Sequence, residues 1–317
     1  MKNIYPLETS VVFRIIYILV VFAFGLFLAY VVFLSILYIQ VGFDISVLNE
    51  RVINFNTDVF IVRLMQICQS IFVFICPPFI LSKLYKENSK DFLHLQKPKL
   101  KHVLIAIFSI LIMIPLTNVL VKWNGGMHLP EFMQGLEVKI RESENTAKLV
   151  TDLILNQSGW LNLTINLIIV ALMAGIGEEI LFRGFFQSVF ARIIGIGKNS
   201  NIKPNWVMHT TIWTVAFLFS AIHLQFYGFI PRLLLGAWFG YLLWWTGSIW
   251  VPVLAHITNN AISTIAVYAE KNGSLTSDPD QIGLNETWWL CLISILLLAA
   301  CIAYLKKGQR ETKTYSD

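Results

Sequence analysis

The fold is decided by one stretch, residues 167–186, which reads LIIVALMAGIGEEILFRGFF. It is apolar on both sides of three charged residues, Glu178, Glu179 and Arg183. With the apolar residues that precede it, the stretch is long enough to cross the hydrocarbon core of a bilayer, about 30 Å, as a helix. A charged side chain at that depth costs about 2.5 to 3.5 kcal/mol even on insertion-based scales. The stretch therefore predicts a membrane-spanning helix whose charged side chains are paired or in contact with water.

Helical spacing separates the roles of the two glutamates. Glu179 and Arg183 are four residues apart and share a helix face, so they can form a charge-assisted pair. Glu178 points about 100° away around the helix and has no basic partner within its own turn. Burial favours the uncharged form of such a carboxyl group, which suits it to take a proton from water and return it. The alternative is that all three cap the end of the span by snorkelling, although the polar loop begins only after Arg192.

The composition of the whole chain agrees with a membrane protein. The 317 residues are 56% hydrophobic and only 14% charged, against roughly 25% charged in an ordinary soluble domain. The mean hydropathy is +0.66. This composition excludes a disordered or collagen-like chain. The four cysteines lie inside apolar runs, which is not the pattern of a disulfide scaffold.

Seven more apolar stretches approach the roughly 20 residues that are needed to cross a bilayer. The prediction is an all-α polytopic bundle of about eight spans, or of seven or nine if Pro77 and Pro78 interrupt the second. The predicted spans are 11–39, 59–85, 102–121, 160–181, 206–224, 229–245, 249–268 and 288–305. The segment 123–159 has too many charges to span but keeps a partly helical apolar spacing, so it is expected at the membrane surface, as a linker helix or a substrate gate.

Basic residues predict the orientation, because they are retained on the cytoplasmic side of a membrane. They concentrate in the loop after span two, in the loop after span four and in the C-terminal tail, all on one side. These residues are Lys83, Lys86, Lys90, Lys97, Lys99, Lys101, Arg192, Lys198, Lys203, Lys306, Lys307, Arg310 and Lys313. Both termini are therefore expected in the cytoplasm.

Two later spans carry the other informative polar groups. His223 follows Phe219 near the end of span five, and His256 and Asn260 lie one turn apart on one face of span seven. Either group alone is typical of hydrogen bonding between helices, which is worth about 0.6 kcal/mol in a membrane. Together with Glu178, they form the set of side chains needed to activate water and stabilise an oxyanion.

These residues form three motifs in order, namely E-E-x-x-x-R at 178–183, F-x-x-x-H at 219–223 and H-x-x-x-N at 256–260. Their order and separation resemble the CPBP family of intramembrane proteases, which includes the type 2 CAAX prenyl endopeptidases and bacteriocin-processing or immunity membrane proteins. The resemblance covers about 160–268, roughly a third of the chain. E-E-x-x-x-R alone is a poor signal, whereas three motifs in consecutive apolar spans are fairly specific.

The resemblance implies a role for each motif residue. Glu178 would be the general base that activates the attacking water, helped by His223, and Glu179 would be held by Arg183. His256 and Asn260 would stabilise the oxyanion formed on the scissile carbonyl group. All six are thus candidate catalytic residues.

Members of the family are called metalloproteases, which makes Zn²⁺ a candidate cofactor. The implied ligands are Glu178, His223 and His256, a set that could bind zinc with an open position. They come from separate spans, and no local motif such as H-E-x-x-H supports the site.

The expected function is an intramembrane endopeptidase, a hydrolase acting on a peptide or protein substrate in a water-filled cavity that opens toward the cytoplasmic side. Prenylation of the substrate is implied only by analogy, and no nucleic-acid partner is expected. The alternatives are a non-catalytic immunity or transport-accessory protein that uses the same polar residues structurally, and a transporter with Glu178 and Glu179 as a proton relay.

The chain is expected to divide into an N-terminal part, 1–159, with membrane helices and an amphipathic linker, a protease core, 160–270, and a last span with its tail, 271–317. The expected location is a bacterial inner membrane. The oligomeric state cannot be derived from the sequence.

Overall fold

The computed structural model describes residues 11–53, 57–195, 204–275 and 278–314, and the regular elements in these residues are all helices. Besides short 3-10 turns, they form eleven helices in the described part of the chain. These are α1 Val11–Gln40, α2 Ile45–Ile53, α3 Val59–Leu84, α4 Ser89–Phe92, α5 Leu100–Gly125, α6 Gln134–Leu155, α7 Trp160–Ile194, α8 Pro204–Ala221, α9 Phe229–Thr246, α10 Trp250–Lys271 and α11 Trp289–Thr314. The predicted all-α bundle is confirmed.

Five segments of the described chain are long and apolar enough to cross a membrane, as judged by length and composition. They are Phe13–Gln40, Val59–Leu84, Leu100–Gly125, Trp160–Ile194 and Asn285–Lys307, which coincide with predicted spans one to four and eight. The chain is therefore a multi-pass membrane protein. The other three predicted spans form α8, α9 and α10, whose polar and aromatic side chains lower their hydropathy. The count of eight spans stays a prediction.

Helices α3 and α7 contain wider, π-helical turns at Ser70–Ile75, Leu167–Met173 and Ile180–Phe186. In α3 the N–H of Cys76 donates to the carbonyl of Ile71, five residues back. Pro77 and Pro78, which have no N–H to donate, follow immediately. The helix nevertheless continues to Leu84, so the prolines do not divide span two.

Contacts bring the predicted cytoplasmic segments together at one end of the bundle. The Tyr85 hydroxyl donates to the Arg14 carbonyl (3.1 Å), Arg192 pairs with Glu87, the Ser248 hydroxyl donates to the Gln96 carbonyl (2.6 Å), and the Lys306 amine lies 5.9 Å from the Trp245 ring centre. We call this the lysine-rich end, formed by Arg14, 85–101, 188–192, 245–249 and 304–307. Lys198 and Lys203 lie outside the described residues, as do the side chains of Arg310 and Lys313.

The opposite end of the bundle is held by a separate set of hydrogen bonds around the amphipathic helix α6. Arg63 donates to Asn162 (3.0 Å) and Asn166 (2.8 Å), and the Asn166 amide donates to the Ile154 carbonyl (2.8 Å), which joins α3, α7 and α6. We call this the α6 end. The helix predicted within 123–159 is present, and its position on a membrane surface stays a prediction.

A cluster of buried side chains fills the bundle between the lysine-rich end and its middle. Its members are Leu81, Phe92, Leu93, Leu181, Phe182, Phe185, Val215 and Phe219, which we call the aromatic plug. Phe182 meets Phe219 edge-on with 5.2 Å between ring centres, and Phe92 meets Phe185 at 6.0 Å. Because lipid is as apolar as these residues, close packing rather than the hydrophobic effect stabilises such a cluster in a membrane.

Candidate active site

Glu179 and Arg183, two of the charged residues of α7, form a fully buried ion pair. Arg183 Nη1 donates to Glu179 Oε1 at 2.9 Å, and both side chains have no exposed surface. Arg183 Nη2 donates to the Gly236 carbonyl at 2.9 Å, and the guanidinium carbon lies 4.4 Å from the Phe219 ring centre. The structure therefore contains the pair that the four-residue spacing predicts.

His256 joins this pair from α10 and reaches toward the second glutamate. Its Nδ1–H donates to Glu179 Oε1 at 2.9 Å, and its Nε2 lies 3.8 Å from Glu178 Oε2. The buried ring stacks on Phe239, with 4.9 Å between ring centres and 20° between planes. Glu179 thus orients both Arg183 and His256, because one carboxylate oxygen accepts from both side chains.

Glu178, His223 and Asn260 line one cavity of about 380 Å³. They reach it from three elements, namely α7, the turn that follows α8, and α10. His223 Nδ1–H donates to the Phe219 carbonyl at 2.7 Å, which leaves its Nε2 for other partners. Asn260 donates one amide N–H to the Val170 carbonyl at 3.0 Å. The structure brings these three residues together, and His256 lies beside Glu178.

The facing wall of the cavity comes from α3 and was missed by the sequence analysis. It consists of Gln66, Gln69, Ser70 and Phe74. Among the described residues, the buried Oε1 of Gln66 has no hydrogen-bond partner. The available signal was a polar stripe in an apolar span, since positions 66, 69 and 70 share one helix face. Neutral amides in an apolar span are a weaker signal of a functional site than charged residues, and none of the three motifs includes them.

Glycines allow the walls of the cavity to approach one another. A Cβ atom at Gly175 would lie 2.8 Å from Ile257 Cγ1, and one at Gly177 would lie 3.1 Å from Phe74 Cβ. Helix α7 therefore contacts α10 and α3 more closely than a side chain would permit.

The cavity lies toward the α6 end, which is opposite to the expected side. Its residues in α7, from Ile169 to Glu178, run from the first third of the helix to its middle, and its residues Ile222 and His223 follow the last residue of α8. The aromatic plug separates it from the lysine-rich end. The lining residues therefore do not favour the expectation that the cavity opens at the end with the basic loops, because the motifs fix which helices meet but not at what depth.

The described residues contain no group of three or more His, Cys, Asp or Glu side chains arranged to hold a metal ion. Glu178, His223 and His256, the implied zinc ligands, do not form such a group. Glu179 accepts from His256 Nδ1 and the Phe219 carbonyl accepts from His223 Nδ1, so each imidazole has one nitrogen left.

Comparison with known families gives one match. Residues 160–262 match the family described as Rce1-like, type II CAAX prenyl endopeptidase. The match includes all three motifs and confirms the resemblance derived from them. No curated protein and no solved structure matches the chain. About a third of the chain is thus similar to this endopeptidase family.

Proposed function

We propose that this protein is a membrane-embedded endopeptidase that hydrolyses peptide bonds with a water molecule activated by Glu178. The proposal rests on one observation above all: Glu178, His223 and Asn260, which all belong to the segment that matches the endopeptidase family, line one cavity. A carboxylate, an imidazole and a carboxamide around one space can act as base, water-positioning group and oxyanion donor.

In this mechanism, Glu178 accepts a proton as the water oxygen bonds to the scissile carbonyl carbon. His223 helps to hold the water. Asn260 donates its second amide N–H to the oxyanion that forms, and His256 donates from Nε2, which in this scheme carries a proton as well as Nδ1. Glu178 then gives the proton to the leaving amine as the C–N bond breaks. Glu179 does not react in this scheme, because its Oε1 orients the buried side chains of Arg183 and His256.

The lining of the cavity suits a peptide. Apart from Glu178, its polar side chains are neutral hydrogen-bonding groups, including the amides of Gln66, Gln69 and Asn260. Amides match the donors and acceptors of an extended peptide backbone. Rotation of the Gln66 amide toward the cavity would let its buried Oε1, which has no partner among the described residues, accept a substrate N–H. We propose a peptide or membrane-bound protein as the substrate.

We also propose an orientation and a location. The lysine-rich end faces the cytoplasm, which places both termini there, and the membrane is a bacterial inner membrane. The basis is the concentration of lysine in the loop between α3 and α5, together with the positive-inside rule.

Substitution of Glu178 tests the mechanism. The full chain in proteoliposomes is mixed with two quenched fluorescent peptides, one farnesylated near its C-terminus and one apolar and unmodified. We expect Glu178→Gln to lower cleavage by about 10²- to 10⁴-fold, the usual range for a general base. Glu142→Gln, at an exposed glutamate on α6, is the matched control and should keep full activity.

The same preparations also separate the alternative functions. Cleavage that survives in Glu178→Gln rejects Glu178 as the general base. No cleavage of either peptide by the wild type favours a structural role for the polar residues, as in an immunity or transport-accessory protein. Proton flux without cleavage identifies a transporter. The zinc content of the purified wild type and of Glu178→Gln, measured by mass spectrometry, tests the zinc prediction, and no step above requires a metal.

A further inference from the structure

The position of the candidate cavity along the helices indicates the end of the bundle from which a substrate would reach it. In α3 its lining runs from Gln66 to Phe74, and in α7 from Ile169 to Glu178. The lining includes Ile222 and His223, which come directly after α8. The cavity therefore extends from the middle of the bundle to the α6 end.

In the other half of the bundle, the described residues at this site are closely packed. The aromatic plug occupies the space between the Glu179–Arg183 pair and the lysine-rich end, and seven of its eight members are 3% exposed or less. Beyond the plug, the Ser188 hydroxyl donates to the Phe92 carbonyl at 3.0 Å, and the N–H of Ile249 donates to the His94 carbonyl at 2.9 Å. These bonds join α4 to α7, and the loop after α4 to the residue before α10, at the lysine-rich end.

Hydrogen bonds hold the turn that follows α8, which borders the cavity at the α6 end. The amide of Asn124, near the end of α5, donates to the Phe226 carbonyl at 3.1 Å. The N–H of Tyr227 donates to Glu144 of α6 at 3.0 Å. The turn that carries His223 is thus held between α5 and α6, and Ile222 beside it keeps 51% of its surface exposed.

We infer that the catalytic cavity receives its substrate from the extracytoplasmic side of the membrane. The inference rests on the proposed function and orientation, since the cavity lies at the end opposite to the lysine-rich loops. The substrate class follows: a membrane-anchored or exported polypeptide that presents its scissile bond at the outer face. The aromatic plug would keep peptides that remain in the cytoplasm from reaching the cavity. Such peptides include the C-terminal peptides of cytoplasmic lipid-modified proteins.

Cysteine labelling measures this access directly, without any knowledge of the substrate. Single variants Ile222→Cys, Glu142→Cys and Lys97→Cys of the full chain are exposed to a charged, membrane-impermeant maleimide in intact spheroplasts and again after permeabilisation. Glu142 is exposed on α6, and Lys97 is exposed in the lysine-rich loop, so these two report the two sides. The chain with only its four native cysteines gives the background.

We expect Ile222→Cys and Glu142→Cys to react fully in intact spheroplasts and Lys97→Cys to react only after permeabilisation. The inference is overturned if Ile222→Cys reacts together with Lys97→Cys, if it reacts under neither condition, or if Lys97→Cys is the variant that reacts from outside. Because labelling does not depend on cleavage, these outcomes are separate from the Glu178→Gln test. The inference about access can be overturned while general-base catalysis by Glu178 is supported, and catalysis can be rejected while the inference about access is supported.

Discussion

Glu178 and Glu179 are consecutive residues with opposite surroundings. Glu179 is completely buried, and its Oε1 accepts from both Arg183 and His256. Glu178 lines the cavity, and its ion-pair partner in the described structure is His256, whose Nε2 lies 3.8 Å from Glu178 Oε2. One residue is about 100° of helix rotation, which suffices to place one carboxylate in a closed network and the other beside open space.

Glu179→Gln tests whether Glu179 stabilises the fold. The substitution leaves the Arg183 guanidinium buried without its anion, and breaking a buried pair in this way costs about 3–5 kcal/mol. We expect a clearly lower unfolding midpoint in detergent, measured by tryptophan fluorescence, whereas Glu178→Gln and the exposed Glu142→Gln should keep the wild-type midpoint. Equal midpoints for all three variants would show that Glu179 is not the structural member of the pair.

At the scale of helices, the cavity depends on how closely α7 lies against its neighbours. Gly175 faces the backbone of α10, because a Cβ atom there would be 3.1 Å from the N atom of Ile257 as well as 2.8 Å from its Cγ1. Backbone cannot move aside as the tip of a side chain can. The helix pair that carries Glu178 and Asn260 is therefore sensitive to one methyl group at this position.

Gly175→Ala should accordingly destabilise the protein by about 1–3 kcal/mol, the usual cost of overpacking, and reduce peptide cleavage as α7 and α10 separate. The control is Gly135→Ala in α6, where a Cβ atom meets nothing within 4 Å. Thermal unfolding and cleavage are measured on both variants. A Gly175→Ala protein indistinguishable from Gly135→Ala would mean that the α7–α10 spacing does not control the site.

The docking of α6 is an electrostatic contact that depends on pH. The backbone N–H of Leu129, followed by Arg141 and His128, lowers the pKa of Glu137 to about 2. The Tyr227 hydroxyl also donates to Glu137, at 3.1 Å. A carboxyl group whose pKa falls on folding stabilises the folded state fully above its ordinary value of 4.5, and that contribution disappears as the pH falls toward 2.

Glu137→Gln removes this contribution at neutral pH. We expect the wild type to unfold at a higher temperature than Glu137→Gln above pH 4.5, and the difference between them to shrink as the pH falls toward about 2. Comparing two variants cancels the titration of the other carboxyl groups. A difference that stays constant across this range would show that the Glu137 carboxylate does not hold α6 in place.

For the whole molecule, the sequence predicts which residues form the site better than it predicts where in the bundle the site lies. The all-α class, five of the spans and the Glu179–Arg183 pair follow from hydropathy and helical spacing, which are local properties. The depth of the cavity and its α3 wall do not follow from them. Contacts such as the one between Gly177 and Phe74 join residues about a hundred positions apart, and no local pattern encodes where two helices cross.

The wall from α3 means that the segment matching the endopeptidase family does not form the site alone. Gln66 lies far outside residues 160–262, yet its Oε1 is buried at the cavity without a partner in the described structure. A buried acceptor without a hydrogen bond costs about 1–3 kcal/mol in the free protein. If the Gln66 amide rotates toward the cavity, a bound peptide removes that cost by donating an N–H group to the Oε1 atom.

Gln66→Leu should therefore have two effects of opposite sign. Losing the unpaired acceptor raises the unfolding midpoint, and losing one hydrogen bond to substrate raises KM by about tenfold while kcat changes little. Gln157→Leu, in the connection between α6 and α7, is a control that should leave KM unchanged. If Gln66→Leu lowers kcat and leaves KM unaltered, Gln66 acts in the chemical step rather than in binding. If neither constant changes, the α3 wall does not contact the substrate and the matched segment contains the whole site.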